Sequence, residues 1–402
     1  MSAADVAEVV ARSRRFVRDV VIPAEPLTGT PLDPEARAAL QRQARAAGVF
    51  APHVPVELGG LGLPLTAWSP VFQEAGYSPI GPAVLNCMAP DEGNMLLLER
   101  LATPAQRESF LVPLAAGDVR SSFAMTEPHP GAGSDPAALA TVAHRRGGRW
   151  VIDGEKRFIS GAEEAAFAIV MARTPDLGER AATMFLVPMD APGVEIGHAI
   201  RTLETAITGG HPHVRYHGVE VGEEAVLGTP GEAFRHAQLR LGPARLTHCM
   251  RWLGLARRAQ DTALDRVRSR ELFGHPLGEL GLAQALLADS EIDLASSAAL
   301  IDRAAASLVA DPREGATASS LAKVHVSEAV GRVIDRAVQL CGGDGVTHEL
   351  PLLGFLNEVR PFRVYDGSSE THRWAIARRA IARRRAEVED GEAALDVAEG
   401  AR

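Results

Sequence analysis

Apolar residues recur at three- and four-residue steps from Pro34 to about Leu114, as in EARAALQRQARAAGVF and NMLLLERL, broken once at the Gly/Pro-rich ELGGLGLPL. That period predicts a helical N-terminal domain over residues 1–120. From Ser121 to Gly228 the period shortens: RWVIDGEKRFIS alternates around an Asp-Gly turn, while AFAIVMA and TMFLVPM are short β-prone runs. A central β domain over 121–228 is expected. After Gly231 the helical period returns. Leu246, Cys249, Met250, Leu253, Ala256, Ala263, Leu264 and Val267 predict one buried stripe on a long helix. LLADSEIDLASSAALIDRAAASL and SSLAKVHVSEAVGRVIDRAVQL read alike, so three or four long helices should pack as an antiparallel bundle over 229–385. The closing EVEDGEAALDVAEGAR is acidic with few large apolar groups, which predicts a mobile tail at 386–402. The fold class is α+β, and the strand-helix alternation of a Rossmann sheet is absent.

The chain of 402 residues is 46% apolar, enough for two or three domains with real cores. Its net charge is −9, with arginines scattered among acids, which gives no support for nucleic-acid binding. Charges break every apolar run of MSAADVAEVVARSRRFVRDVVIPAE, so neither a signal peptide nor a membrane span is expected and the default location is cytoplasmic. Cys87, Cys249 and Cys341 lie far apart without CxxC spacing, which speaks for small buried side chains.

Four stretches could carry chemistry. In FAMTEPHPGAGSDP, Gly131, Gly133 and Ser134 could let backbone amides approach a phosphate or a ring edge, and Thr126 and Ser134 offer hydroxyls. In GEKRFIS, Phe158 and Ser160 stand two apart, which in a strand puts a ring and a hydroxyl on one side. In RSRELFGHPL, Arg270 and Phe273 stand three apart at a helix end, a guanidinium and a ring for a phosphate and a base. VQLCGGDGV ends a helix at Gly342, Gly343 and Gly345. Each also fits a bland reading as turn, core Phe, surface Arg or helix cap. His211, His213 and His217 lack a cysteine or carboxylate partner nearby in sequence, so no metal site is assigned.

In this order, FAMTEP followed by GAGSD, then GEKRFIS, RELFGHPL, VQLCGGDGV and RVYDGSSETHRWAIARR resemble the acyl-CoA dehydrogenase family, over roughly residues 30 to 385. The resemblance implies an N-terminal helical domain, a central β-barrel-like domain and a C-terminal four-helix bundle, with FAD between the last two. It also implies a homotetramer or homodimer in which a neighbour helps hold each FAD. Met125, Thr126, Phe158 and Ser160 match positions along the flavin ring, with Gly133 and Ser134 near its phosphates or the substrate. Arg270 and Phe273 match the contact to pyrophosphate and adenine across the interface. Gln339 to Gly343, with Ser368 and Glu370, complete the nucleotide site. Gly281 stands where many members have Gln, and Gln284 is the substitute.

The implied reaction removes the α-proton of an acyl thioester to a carboxylate while the β-hydrogen leaves as hydride to the flavin. The substrate is an acyl-CoA or an acyl carrier protein thioester, and the acceptor an electron-transfer flavoprotein. Asp366 matches the base, Gly367 the tight turn beside it, and Arg245 the family's arginine at the substrate. The family's usual base is Glu; one fewer methylene withdraws the carboxylate by about 1.5 Å, a misplacement that can cost roughly 10²-fold. The family's second base position falls on Ala244, which leaves Asp366 as the candidate. His129 and Pro130 look inserted in the TEP-GAGSD run, and NEVR keeps only Arg360 of the common pattern. Two other readings compete. One is a flavin oxidase resembling nitroalkane oxidases, where Asp serves because the carbon acid is stronger. The other is a catalytically silent flavin or acyl-CoA binding protein.

Overall fold

The computed structural model describes residues 2–400 apart from Arg180, with side chains as far as Glu389. Helix α1 (Ala3–Phe16) begins at a capping box in which Ser2 and Asp5 satisfy each other's backbone N–H groups. Helices α2 (Pro34–Ala46), α3 (Trp68–Gly76) and α4 (Asp91–Leu101) follow. Of these, α3 and α4 pack on α5 (Ala233–Ser269), a 37-residue helix that runs through the molecule, while α1 packs on α3. Helices α3 and α5 cross almost backbone to backbone. A Cβ on Gly76 would lie 2.0 Å from the Arg251 carbonyl oxygen, and one on Gly254 2.0 Å from that of Gln73. Those two glycines set how close the N-terminal domain comes to α5.

The middle of the chain forms one eight-stranded mixed sheet: β1 (Arg120–Ala124), β2 (Val142–Arg146), β3 (Arg149–Lys156), β4 (Ala165–Arg173), β5 (Ala182–Pro188), β6 (Val194–Ala199), β7 (Pro212–Val221) and β8 (Val226–Leu227). Strand order is β6-β7-β3-β2-β4-β5-β8, with β1 parallel to β4. Trp150 and Phe185 meet edge to face at 5.4 Å in its core. The Asp-Gly pair expected as a turn lies inside β3 instead. Gly147 and Gly148, both in the left-handed region, make the hairpin, and Asp153-Gly154 marks a register irregularity against β7.

Helices α6 (Gly281–Ala310), α7 (Pro312–Cys341) and α9 (Ser369–Gly400) join α5 in the bundle, with the short α8 (Leu352–Val359) before α9. The expected stripe on α5 is buried except at Leu264, which is 40% exposed. The stretch from 386 expected as a separate tail continues α9 to Gly400; side chains beyond 389 and residues 401–402 lie outside the described residues. The three cysteines are buried free thiols. No helix among the described residues is long and apolar enough to cross a membrane. Buried Glu358 accepts from the N–H groups of Thr205 (2.7 Å) and Ala206 (3.2 Å), tying the bundle to the β domain.

Candidate active site

Between α8 and α9 the chain turns at Asp366 and Gly367, both left-handed, with φ of 54° and 90°. Asp tolerates that region better than most residues, and Gly367 is required there, since a Cβ would lie 2.7 Å from His372 Nε2. Three side chains hold the turn by its carbonyls. Arg245 Nε (3.2 Å) and His372 Nε2 (3.1 Å) donate to the Asp366 oxygen, and Lys323 Nζ (2.7 Å) donates to that of Gly367. The Asp366 and Gly367 N–H groups donate to no described residue. Two backbone donors are therefore left for a ligand.

The Asp366 carboxylate faces α5. Its Oδ2 is 3.4 Å from His248 Nε2, and His248 Nδ1 lies 2.9 Å from Arg251 Nη2. An arginine can only donate, so Nδ1 accepts and Nε2 carries the hydrogen toward Asp366. Arg251 Nη1 in turn meets Glu92 Oε1 on α4 at 2.9 Å, and Thr247 Oγ1 reaches the same oxygen at 2.7 Å. Glu92 and Arg251 are almost wholly buried. A continuous polar chain thus runs from the N-terminal domain to Asp366.

Burial pulls the Asp366 carboxyl upward, but the His248 hydrogen bond and the charges of His248, Arg240 and Arg245 outweigh it and hold it below the usual carboxylate range. His248 is pushed below 6.5 by burial and then by Arg251, against the pull of Asp366. The two shifts pull apart, since a neutral imidazole adds no charge. The geometry favours neutral His248, which leaves Arg240 and Arg245 as the cations that keep Asp366 ionised. Burial also pushes Lys323 down to about 8.

The residues matched to a flavin ring lie where β1 and β3 end side by side. The Met125 carbonyl accepts from Lys156 Nζ (3.2 Å), and that of Thr126 from the Arg157 N–H (2.9 Å). Phe158 and Ser160 do not share a strand, as the spacing had suggested: β3 stops at Lys156, and Phe158 takes a φ of 57° that leaves its ring 46% exposed. Ser160 Oγ instead meets His211 Nδ1 at 2.9 Å. Buried Glu127 organises the adjoining GAGSD loop, accepting from the N–H groups of Ala132, Ala140 and Thr141 and from Lys156 Nζ (2.8 Å). Gly133 and Ser134 are exposed at the loop's tip.

The nucleotide-matched residues fall into two distant groups. Ser368 caps α9, accepting from the Thr371 N–H at 3.2 Å, with exposed Glu370 in the first turn. Arg270 and Phe273 sit beyond the far end of α5, not on it: α5 stops at Ser269, and a small hairpin (Glu271–Leu272 against His275–Pro276) holds Phe273 at its tip, 92% exposed. Gln284 Nε2 donates to the Gly278 carbonyl there (3.1 Å), and Arg266 paired with Asp344 (2.9 Å) brings Gln339, Gly342 and Gly343 to the same end. The 25 residues from Arg245 to Arg270 span about 37 Å of helix, so within one chain the two groups cannot hold one cofactor together. The surfaces do suit a planar dinucleotide cofactor. Two phenylalanine rings are exposed at positive φ, and a Cβ on Gly133, Gly342 or Gly343 would meet nothing within 4 Å.

His248, Arg251, Glu92, Lys323, His372 and Glu127 escaped the sequence reading. A signal was present for part of it: Thr247, His248 and Arg251 interrupt an otherwise apolar helix face with groups that need partners when buried.

Residues 4–118, 122–209 and 231–381 match the acyl-CoA dehydrogenase N-terminal, middle and C-terminal domains. A probable acyl-CoA dehydrogenase, FadE2, of Mycobacterium tuberculosis is 38% identical over 328 residues, 80% of each chain. The (R)-benzylsuccinyl-CoA dehydrogenase of Thauera aromatica is 33% identical over 92% of this chain and 93% of its own. The chain spans half the length of acyl-CoA dehydrogenase family member 11 of Rattus norvegicus, at 33% identity. Among solved structures, a putative acyl-CoA dehydrogenase from Mycobacterium abscessus superposes with a TM-score of 0.87 at 34% identity, covering 95% and 99% of the two chains. A glutaryl-CoA dehydrogenase from Mycobacterium smegmatis in complex with FADH2 gives 0.82 at 25%, covering 94% and 95%. With all three domains matched in order on a fold of that architecture, the chain belongs to the acyl-CoA dehydrogenase family.

Proposed function

We infer that this enzyme uses FAD to dehydrogenate an acyl-CoA to its α,β-enoyl thioester, with Asp366 as the base. The observation that carries the reading is the Asp366-Gly367 turn: an ionised carboxylate beside two unused backbone N–H groups, its carbonyls anchored by Arg245, His372 and Lys323. FAD, which Met125, Thr126, Phe158 and Ser160 would help hold, would supply the acceptor for two electrons. The chain's own groups do the rest. The free N–H groups at 366 and 367 receive the thioester oxygen, where charge develops as the α-proton leaves. Carboxylate Oδ1 or Oδ2 takes that proton, while His248 Nε2–H fixes the carboxylate's orientation. The largest influence on Asp366 is burial, which raises its pKa. An acyl chain that excludes further water strengthens the base as it binds.

The split between the two nucleotide-matched groups supports a second copy of the chain that brings its Arg270–Phe273 hairpin to this copy's flavin, as a homodimer or within a homotetramer. An electron-transfer flavoprotein is the proposed acceptor. One observation favours the oxidase reading as an alternative. A carboxylate held below its ordinary range is a weak base, better matched to a carbon acid stronger than a thioester. Anaerobic titration of the flavin band with a panel of acyl-CoAs and a nitroalkane separates the two. Bleaching by a thioester supports dehydrogenation; bleaching by the nitroalkane alone, with O₂ uptake in air, overturns it.

The His248 geometry sets a pH dependence. Its depressed pKa means the neutral ring prevails above pH 6.5, and protonation comes below that as pH falls. A protonated His248 would pin Asp366 as an ion pair and weaken the base. The kcat/KM profile is expected to be flat from pH 6.5 to 8 and to fall on the acid side. In His248→Gln that acid limb should move to lower pH. An unmoved limb would detach His248 from the base.

A further inference from the structure

We propose that the acyl substrate carries a second anionic group, a carboxylate a few carbons beyond the thioester, and that Arg240 receives it. This deepens the dehydrogenase reading and rests on it for where the thioester lies. Arg240, Ala244, Thr247, His248 and Arg251 fall at i, i+4, i+7, i+8 and i+11 of α5, on one face. The same face that presents His248 to Asp366 therefore presents Arg240 eight residues earlier, about 12 Å along the axis. Buried Ala244 lies between them.

Arg240 is a buried cation without an ionic partner. Its Nε donates to Asn94 Oδ1 at 2.9 Å, one Nη reaches the Pro90 carbonyl at the 3.5 Å limit, and the guanidinium lies 4.2 Å from the Phe123 ring. Gly93 makes the room, since a Cβ there would come within 3.1 Å of Nε. No carboxylate of the described residues reaches ion-pairing distance. The neighbouring buried cations are served differently: Arg251 has Glu92 at 2.9 Å, Lys156 has Glu127 at 2.8 Å, and Arg120 has Asp91. Among the described residues Arg245 and Lys323 also have no carboxylate at ion-pairing distance, being spent on the turn carbonyls. Three cations thus face one uncommitted carboxylate, Asp366. Leaving a guanidinium buried and unpaired is unfavourable, and an anion delivered by the substrate offsets that cost. Arginine's planar fork is the donor set that matches a carboxylate. Asp366 acts on Arg240 ahead of Glu92 and Asp91, so the turn and the guanidinium held by Asn94 lie across one space, which a short diacid of about four to six carbons would bridge.

The test uses the FAD-loaded enzyme with length-matched pairs, glutaryl-CoA against pentanoyl-CoA and adipoyl-CoA against hexanoyl-CoA. Their 3-thia analogues, which bind without releasing a hydride, are followed by the shift of the flavin band. The diacid thioester should exceed its neutral match at least about 10-fold in kcat/KM, mainly through KM, and its analogue should bind correspondingly tighter. Arg240→Met should collapse that ratio, and Arg240→Lys should retain part of it. Equal or better use of the neutral thioester by the wild-type enzyme overturns the proposal. So does a ratio unchanged in Arg240→Met. If neither thioester bleaches the flavin yet the acidic analogue binds more tightly and depends on Arg240, the anion site stands and the dehydrogenase reading falls. Should Arg240→Met fail to fold, the wild-type comparison decides.

Discussion

Replacing Asp366 with Asn is expected to leave FAD bound and to slow anaerobic flavin reduction by substrate at least about 10³-fold, the scale of a lost general base. Asn is the apt replacement on structural grounds. It is nearly isosteric, it tolerates the φ of 54° at this position, and its carbonyl oxygen still accepts from His248 Nε2–H. Ala would remove the base too, but with added backbone strain in the left-handed region. The measurement is stopped-flow reduction with whichever thioester bleaches the wild-type enzyme. A reduction rate within a few-fold of wild type would move the base elsewhere. Asp366→Glu probes the same point from the other side: its extra methylene advances the carboxylate by about 1.5 Å, and if the pocket is built for the shorter arm the rate should fall.

The second large effect is on stability. Arg251→Met removes one partner of a buried pair and leaves Glu92, 0% exposed, with Thr247 as its remaining donor. Unpairing a buried ion in this way costs about 3–5 kcal/mol, which chemical denaturation of the holoenzyme will register. Glu92→Gln should destabilise for the mirror-image reason. The double variant should be less destabilised than the sum of the singles, because no charge is then left unpaired. Arg251→Met has a second consequence. His248 Nδ1 loses its donor, the tautomer is no longer specified, and flavin reduction should slow as Asp366 loses its orienting N–H. A cycle that is simply additive would mean that Glu92 and Arg251 do not act as a pair.

Several features were legible from sequence because they depend on local periodicity. The stripe on α5 is buried at Leu246, Cys249, Met250, Leu253, Ala256, Ala263 and Val267, since a helix repeats its face every three to four residues whatever packs on it. Leu264 is the exception because burial needs an opposing surface, which the sequence around it does not specify. The Asp153-Gly154 pair misled for a related reason. It has the composition of a hairpin turn, but pairing with β7 holds it inside a strand. The two-residue spacing of Phe158 and Ser160 reads as strand, yet the strand ends at Lys156 and the backbone at Phe158 is left-handed.

What the sequence by itself determined was the order of helical, β and helical segments and the motifs at their junctions, because turn chemistry and hydrophobic period are written within a few residues. What only the tertiary structure decided was the charge environment of the site. Glu92, Arg251, His248 and Asp366 are spread over more than 270 positions, and Arg240 meets Asn94 across 146. Such partners are chosen by how α4, α5 and the turn before α9 pack. Whether a buried charge is paired, as at Arg251, or left for a ligand, as at Arg240, depends on distances that no local pattern encodes.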